Sequence, residues 1–360
     1  MLTAAIVGCG KIADDHAQSI LRIPGARLAG FYDAEPLMAR QMEDRFGGRA
    51  FPDLESLLSS SPDVVHITTP PQSHYALAMR CLAASCHVFV EKPFTMTAEE
   101  TVAILTEATR RDRKVSVDHN LQFSDPALRL RALIRDGFLG GAPIHSESYY
   151  CYDLSDPGYA RAFLSDTGHW LRSLPGGLLQ NVISHGIARI AEHLPSEAPE
   201  VTAIGFTSDT LRSVGERELL DELRVLIRDG SATAYFTFSS QMRPSVSQFR
   251  VFGRCNGAMI DDSQQTVVRL EGRRQKSYLE MVVPPARLSR QYLANSVLNV
   301  RRFLGRRLHM NDGMRVLITR FYESIADDAP LPIPYAEILR TARIMDAIFA
   351  QVAARECVSA

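Results

Sequence analysis

Residues 1 to about 120 alternate between short apolar runs and longer stretches of helical spacing, and few folds accommodate that rhythm. "TAAIVG" ends in glycine and leads into "KIADDHAQSILRI", where Ile12, His16, Ile20 and Ile23 recur on one helical face. "ARLAGFYD" reads as the next strand and "EPLMARQMEDRFG" as the next helix, with Pro36 in its first turn and Gly47 at its end. "DVVHITT", "HVFVEKP" and "KVSVD" read as further strands, separated by the helices "HYALAMRCLAA" and "AEETVAILTEATRRD". Strands this uniformly apolar are buried on both faces, the mark of a parallel sheet sandwiched between helices. The expected first domain is therefore a doubly wound α/β unit over residues 1–122.

The period then changes. After a helix near "DPALRLRALIRDG", the segments "PIHSESYYCYD", "ELRVLIRDGSATAYFTFSS", "SQFRVFGRCNGAMIDD" and "QTVVRLEGRRQKSYLEM" alternate as antiparallel strands do, with turns expected at Asp229-Gly230 and Asn256-Gly257. Two helical stretches follow, "GMRVLITRFYESIADD" and "YAEILRTARIMDAIFAQVAA". The expected second domain, 123–360, is α+β with an open, mainly antiparallel sheet, and its last helices are candidates to pack back on the first domain. A chain of 360 residues has room for two such domains. Its net charge of −1 gives no electrostatic reason to expect nucleic acid. The six cysteines form no C-x-x-C pair, so neither a metal site nor a disulfide framework is signalled, and free thiols are expected. "MLTAAIVG" lacks the basic region of a signal peptide, and no apolar run approaches the ~18–20 residues of a membrane span. A cytoplasmic protein is the expectation.

The first turn carries chemistry. In "IVGCGKIA", Gly8-x-Gly10-x-x-Ala13 lies directly between a strand and a helix. Gly8 permits the tight turn, Gly10 lets a pyrophosphate approach the backbone, and Ala13 lets the helix pack close to the sheet. Lys11 and Ile12, the next residues of the turn, join the candidate cofactor set. Free N–H groups at the helix start favour phosphate charge. Asp33 ends the second strand, where an acid accepts hydrogen bonds from ribose hydroxyls and repels a 2′-phosphate. NAD is expected, and NADP is disfavoured. The competing reading is a plain glycine turn with an incidental surface acid.

Gly8-x-Gly10-x-x-Ala13, Thr69-Pro70 with His74, Glu91-Lys92-Pro93, and Gly176-Gly177 followed by His185 resemble the Gfo/Idh/MocA oxidoreductases, from residue 2 to about 350. The resemblance implies a Rossmann domain followed by a domain on an open antiparallel sheet. It implies oxidation or reduction of a secondary alcohol on a sugar, cyclitol or nucleotide sugar, and a homodimer or homotetramer formed through the sheet. It implies a cis Lys92-Pro93 bond with Lys92 aimed at the reacting carbon. A lysine there hydrogen-bonds the substrate hydroxyl and stabilises alkoxide character. Glu91 would place the nicotinamide ribose or Lys92, Thr69, Pro70 and His74 would border the adenosine and pyrophosphate channel, and Asn120 would contact the nicotinamide ribose or the substrate. Some relatives instead retain NAD and cleave a glycosidic bond or epimerise by transient oxidation, and a non-catalytic NAD- and sugar-sensing regulator is a third reading.

In the second domain, Asn181 and His185 are four apart, which puts them on one helical face. His185 is the candidate proton acceptor, with an unperturbed pKa of about 6.5. Asn181 stands where family members commonly carry Asp, and this tilts the substrate toward a sugar nucleotide. Trp170 and Arg172 fall where relatives place substrate contacts, and Tyr152 is the candidate pocket hydroxyl. Each competes with a plain packing role. Between Pro284 and Asn311 lie six arginines and no acid, with Leu293, Val297, Val300, Leu304 and Leu308 at helical spacing. The favoured reading is a helix packed by its apolar stripe with a solvated basic side; contact with an anionic membrane surface, or with the diphosphate of a carrier-linked sugar, is the less favoured one.

Overall fold

The computed structural model describes residues 1–151, 153, 166, 168–272, 276–305 and 312–359. The chain divides into two compact units, Met1–Asn120 with Gly313–Arg343, and Leu121–Asp312 with Ile344–Ala360.

The first unit is built on a six-stranded sheet in the order β3-β2-β1-β4-β5-β6. Its strands are β1 (Leu2–Val7), β2 (Ala26–Tyr32), β3 (Arg49–Ala50), β4 (Val64–Ile67), β5 (His87–Val90) and β6 (Val115–Val117), and every pairing is parallel. Between them run α1 (Ala13–Leu21), α2 (Pro36–Phe46), α3 (Leu54–Ser59), α4 (His74–Ala83) and α5 (Ala98–Arg110). The central strands are buried throughout, as their unbroken apolar runs require. Helix starts follow their caps. The Thr97 hydroxyl accepts from Glu100 N, and the Glu100 carboxylate accepts from Met96 N at 2.9 Å. The strand order reverses between β1 and β4, so the crevice at their carboxyl ends is the ligand position this topology offers.

The C-terminal stretch Gly313–Arg343 also belongs to this unit. It holds most of the helix Asp312–Ala326, numbered α11 below, whose Met314, Leu317, Ile318 and Phe321 are fully buried. Full burial stabilises each such side chain by about 1.5–3 kcal/mol. Phe321 packs 5.5 Å from Phe89 of β5, and Lys114 donates to Ser324 O, the Asp328 carboxylate and Ala329 O.

The second unit opens with α6 (Asp125–Arg135), which Ser124 caps through Ala127 N. Its seven-stranded sheet has the order β13-β12-β11-β7-β10-β9-β8. The strands are β7 (His145–Cys151), β8 (Glu200–Phe206), β9 (Glu222–Asp229), β10 (Ala232–Ser239), β11 (Ser247–Phe252), β12 (Asn256–Asp261) and β13 (Thr266–Glu271). All pairings are antiparallel except the parallel one between β7 and β10. The helices are α7 (Gly177–Val182), α8 (Ser184–Ala191), α9 (Asp209–Ser213), α10 (Val283–Leu304), α11 and α12 (Tyr335–Ser359), the last two shared with the first unit. Gly186 lets α8 lie directly on the sheet, since a Cβ there would stand 2.3 Å from the Phe236 ring. The other face of the sheet bears exposed Ile204, Phe206, Leu226 and Tyr235.

Three expectations change. The turn expected at Asn256-Gly257 lies at Gly253–Cys255, and both residues already pair in β12. Strand β8 was hidden in the sequence because its outward positions carry Thr202, Ile204 and Phe206, which blur the alternation. The basic helix α10 does not pack by its apolar stripe: Leu293, Val297, Val300 and Leu304 are 67%, 44%, 57% and 75% exposed. It docks by amides instead. Gln291 exchanges two hydrogen bonds with the backbone of Arg269 (2.7 and 3.1 Å), and Asn295 exchanges two with Val267 (3.2 and 2.9 Å). Asn299 adds one to Gln264 O at 2.8 Å. These side chains occupy backbone groups of β13, an edge strand whose outer rim has no strand partner in the sheet. Two of the six arginines of the basic segment, Arg306 and Arg307, lie outside the described residues, as does Tyr152.

Candidate active site

The glycine turn has the shape a dinucleotide needs. Gly8 sits at φ +94°, and a Cβ there would come within 2.8 Å of Thr69 N, so only glycine fits. Gly10 is exposed, and a Cβ on it would meet nothing within 4 Å. Packing therefore does not require a glycine at position 10, and the open space above it suits an approaching phosphate. Ala13 is fully buried under the first turn of α1. Ile12 is the N-cap of that helix with no side-chain cap; Ala13 N donates to Gly10 O at 3.0 Å and Asp15 N to Ile12 O at 3.1 Å, so what the helix end offers an anion is its positive dipole end, with Lys11 exposed beside it. Asp33 accepts from Cys9 N at 2.6 Å through one oxygen and from Glu35 N at 2.8 Å through the other. The acid is thereby fixed to the glycine turn, with further lone pairs for ribose hydroxyls. Burial first, and then the Asp33 charge, push the Cys9 thiol up to about 12, so it stays neutral there.

The end of β5 is the second element. The Lys92-Pro93 peptide bond is cis. His74 is fully buried, with Nδ1 2.9 Å from Pro93 O and Nε2 2.8 Å from Thr69 O. It ties the cis-proline turn to the end of β4, so its role is to hold both turns, and its ring edges are not presented to a cofactor. Thr69 Oγ1 accepts from Ser73 Oγ at 2.6 Å, and Pro70 is exposed next to it.

Behind Lys92 lies a group of polar side chains of which the sequence singled out only Glu91 and Asn120. Glu91 Oε1 is 3.0 Å from His16 Nε2, and Glu91 Oε2 accepts from Lys92 N at 3.1 Å. His16 Nδ1 is 2.9 Å from His66 Nδ1, and His66 Nε2 is 3.0 Å from the Tyr322 hydroxyl. Asp118, at the end of β6, faces Glu91 and accepts from Asn120 Nδ2 at 3.3 Å. Burial, then the Glu91 charge, push the Asp118 carboxyl well above the usual range. Burial acts on Glu91 in the same direction, yet His16, Lys92 and Asp118 together bring it below the usual value. Burial, aided by His16, holds His66 well below the ordinary imidazole range. The signal for these residues was polarity at positions where the strand and helix patterns demand apolar ones, in "VVHI" and at His16.

In the second unit, Trp170 and Arg172 share the short 3-10 turn Trp170–Ser173. Arg172 Nη2 donates to Glu216 at 2.6 Å, so its charge is already matched. Asn181 and His185 fall on successive helices, α7 and α8, joined at Ile183, which keeps helical backbone angles. His185 is 9% exposed, its ring 6.3 Å from that of Tyr150.

Residues 2–119 match the family described as oxidoreductase family, NAD-binding Rossmann fold. Among curated proteins, the UDP-N-acetylglucosamine 3-dehydrogenase of Acidithiobacillus ferrooxidans is 32% identical over 147 residues, 41% of this chain and 44% of that one. The D-glucoside 3-dehydrogenase of Escherichia coli is 30% identical over 142 residues, 39% of this chain and 40% of that one. These alignments span less than half the length of either relative. In fold the likeness covers the whole chain. The structure of the Acidithiobacillus enzyme has a TM-score of 0.72 at 20% identity, covering 98% of both chains. That of the WlbA dehydrogenase from Bordetella pertussis, in complex with NADH and UDP-GlcNAcA, has a TM-score of 0.76 at 15% identity, covering 98% of this chain and 96% of that one. Over residues 2–119 the chain matches the NAD-binding Rossmann domain of the Gfo/Idh/MocA oxidoreductases.

Proposed function

We propose that the protein is an NAD-dependent dehydrogenase acting on a secondary alcohol of a sugar, with a nucleotide sugar as the favoured substrate class. The observation that carries this reading is Lys92, half-buried just past the carboxyl end of β5, in the same sheet as a glycine turn shaped for a pyrophosphate. Gly8, Gly10 and the start of α1 would hold the diphosphate, and Asp33 the adenosine ribose, which favours NAD over NADP. When bound, the nicotinamide supplies the hydride acceptor. The Lys92 ammonium hydrogen-bonds the substrate hydroxyl and stabilises the negative charge that grows on that oxygen as the C–H bond breaks. His185 is our candidate for the base that takes the hydroxyl proton, and Trp170, Asn181 and Tyr152 are candidates for substrate contacts. The substrate class rests on Asn181 and on the nucleotide-sugar activity named for the Acidithiobacillus relative. Assembly as a homodimer or homotetramer would cover the bare apolar face of the second sheet.

The test is NADH formation with a panel of nucleotide sugars, free sugars and cyclitols, compared with Lys92→Met. The expected loss is on the order of 100- to 1,000-fold in kcat with NAD+ binding retained. Full activity in the variant would remove Lys92 from the mechanism. Tightly retained NAD with product formed but no net NADH would instead favour transient oxidation.

A further inference from the structure

We propose that Tyr322, His66, His16, Glu91 and Asp118 form a one-directional buried hydrogen-bond chain that keeps a single negative charge at Glu91 and so positions Lys92 for the reaction. The inference rests on the dehydrogenase reading above, but its structural half stands without it.

The direction follows from counting donors. Three contacts of 2.9–3.0 Å link four side chains in series, and each imidazole uses both ring nitrogens. A neutral imidazole has one donor and one acceptor nitrogen. If Glu91 is ionised and both rings are neutral, His16 must donate from Nε2, so its Nδ1 accepts. His66 must then donate from Nδ1, its Nε2 accepts, and the Tyr322 hydroxyl donates into it. Every bond is satisfied, and every proton points toward Glu91. The reversed chain needs a protonated Glu91 and makes Tyr322 an acceptor. Its own O–H, 2% exposed in total, would then face no acceptor among the described residues. The cost of stranding a buried hydroxyl selects the first direction.

The charge at Glu91 is bounded from every side. Lys92 supplies the backbone donor to Oε2. Asp118, just past β6, shares the site and serves as a proton donor to Glu91 when neutral. His119 follows it, pushed down to about 3 by burial first and then by Lys92, so it adds no positive charge. His74 and Asp15 face the same pair from α4 and α1, and Asp63 faces Tyr322. Burial pushes the Tyr322 hydroxyl above its usual range, which keeps it a donor. Glu91 thus carries one anion directly beneath the lysine backbone. Tyr322 and His66 touch neither Lys92 nor any substrate; they are positioning residues acting through His16 and Glu91.

Long-range ¹H–¹⁵N NMR of the full chain labelled at histidine tests this, with His16→Gln and His66→Gln assigning the signals. The expected result is a neutral His16 carrying its proton on Nε2 and a neutral His66 carrying its proton on Nδ1. A charged His16, or the opposite tautomers, would overturn the chain. Tyr322→Phe is the milder second variant. His66 should lose its single tautomer, and kcat should fall about three- to tenfold with KM and NAD+ affinity unchanged. The acid limb of the pH profile should move upward, because Glu91 becomes easier to protonate. An unmoved profile with the tautomers intact would sink the positioning role. If no sugar reduces NAD+, the dehydrogenase reading falls while the tautomers still decide the chain.

Discussion

The two sheets of this protein hide their polar groups in opposite ways. In the first unit, strands are apolar on both faces, and the few polar side chains among them are locked inside: His16, His66, His74, Glu91 and Asp118 are all under 10% exposed. In the second unit, strands alternate, one face covers a core of Phe236, Phe238 and Phe249, and the other stays bare. Polar groups buried in a parallel sheet must be satisfied by one another, so they become a network with chemistry. An alternating sheet can turn polar groups outward, and the acids this one does bury, Glu222, Asp229 and Asp261, stand at the ends of β9 and β12.

The sharpest way to test that contrast is acid. His66, His74 and His119 of the first unit are fully buried, with their affinity for protons lowered chiefly by burial. Unfolding exposes them to an ordinary pKa near 6.5, so below that value the unfolded chain binds more protons and stability falls as pH drops. Three such groups give a slope of up to about 4 kcal/mol per pH unit below pH ~6. Asp118 acts in the opposite sense, with one proton, as pH falls through its raised value. In the second unit only His193 is comparably depressed among the described residues. Thermal unfolding followed by hydrogen exchange from pH 7.5 to 5 should show the first unit opening first. Simultaneous loss of both units would break the contrast.

Gly8→Val comes next. A side chain at φ +94° against Thr69 N should destabilise the first unit by about 3 kcal/mol and abolish NAD+ binding, while protection in the second unit persists. Calorimetry with NAD+ and exchange protection read the two effects separately. The smallest effect on cofactor binding belongs to the second unit: Gln291→Leu with Asn295→Leu removes four hydrogen bonds to β13 and should cost about 2–4 kcal/mol there. Light scattering should also show aggregation through the uncovered strand, and no change in NAD+ affinity is expected.

Much of this was legible in the sequence, and for physical reasons. Parallel strands announce themselves as apolar runs, and a dinucleotide turn needs Gly8, Gly10 and Asp33 at fixed local spacing. Glu91-Lys92-Pro93 was legible for the same reason, since its chemistry sits in three adjacent residues. His16, His66 and Tyr322 were not, because their meeting depends on α1, β4 and a helix some 250 residues further along the chain. Arg172 and the α10 stripe misled in a related way. A sequence shows an arginine but not its Glu216 partner, and an apolar periodicity but not which face of the helix docks.

The seam between α10 and β13 has a built-in limit. A helix advances ~6.0 Å in four residues, whereas a strand advances ~6.6–6.8 Å in two, so side chains at every fourth helical position slip by roughly 0.7 Å per rung against alternate strand residues. Gln291 and Asn295 meet Arg269 and Val267 with two bonds each, whereas Asn299 lies past the start of β13 at Thr266 and makes one bond, to Gln264 O in the preceding turn. A helix here impersonates a neighbouring strand for two rungs, and the slip between the two repeats sets how many more it could match. Lengthening β13 by a hairpin insertion would outrun its cover.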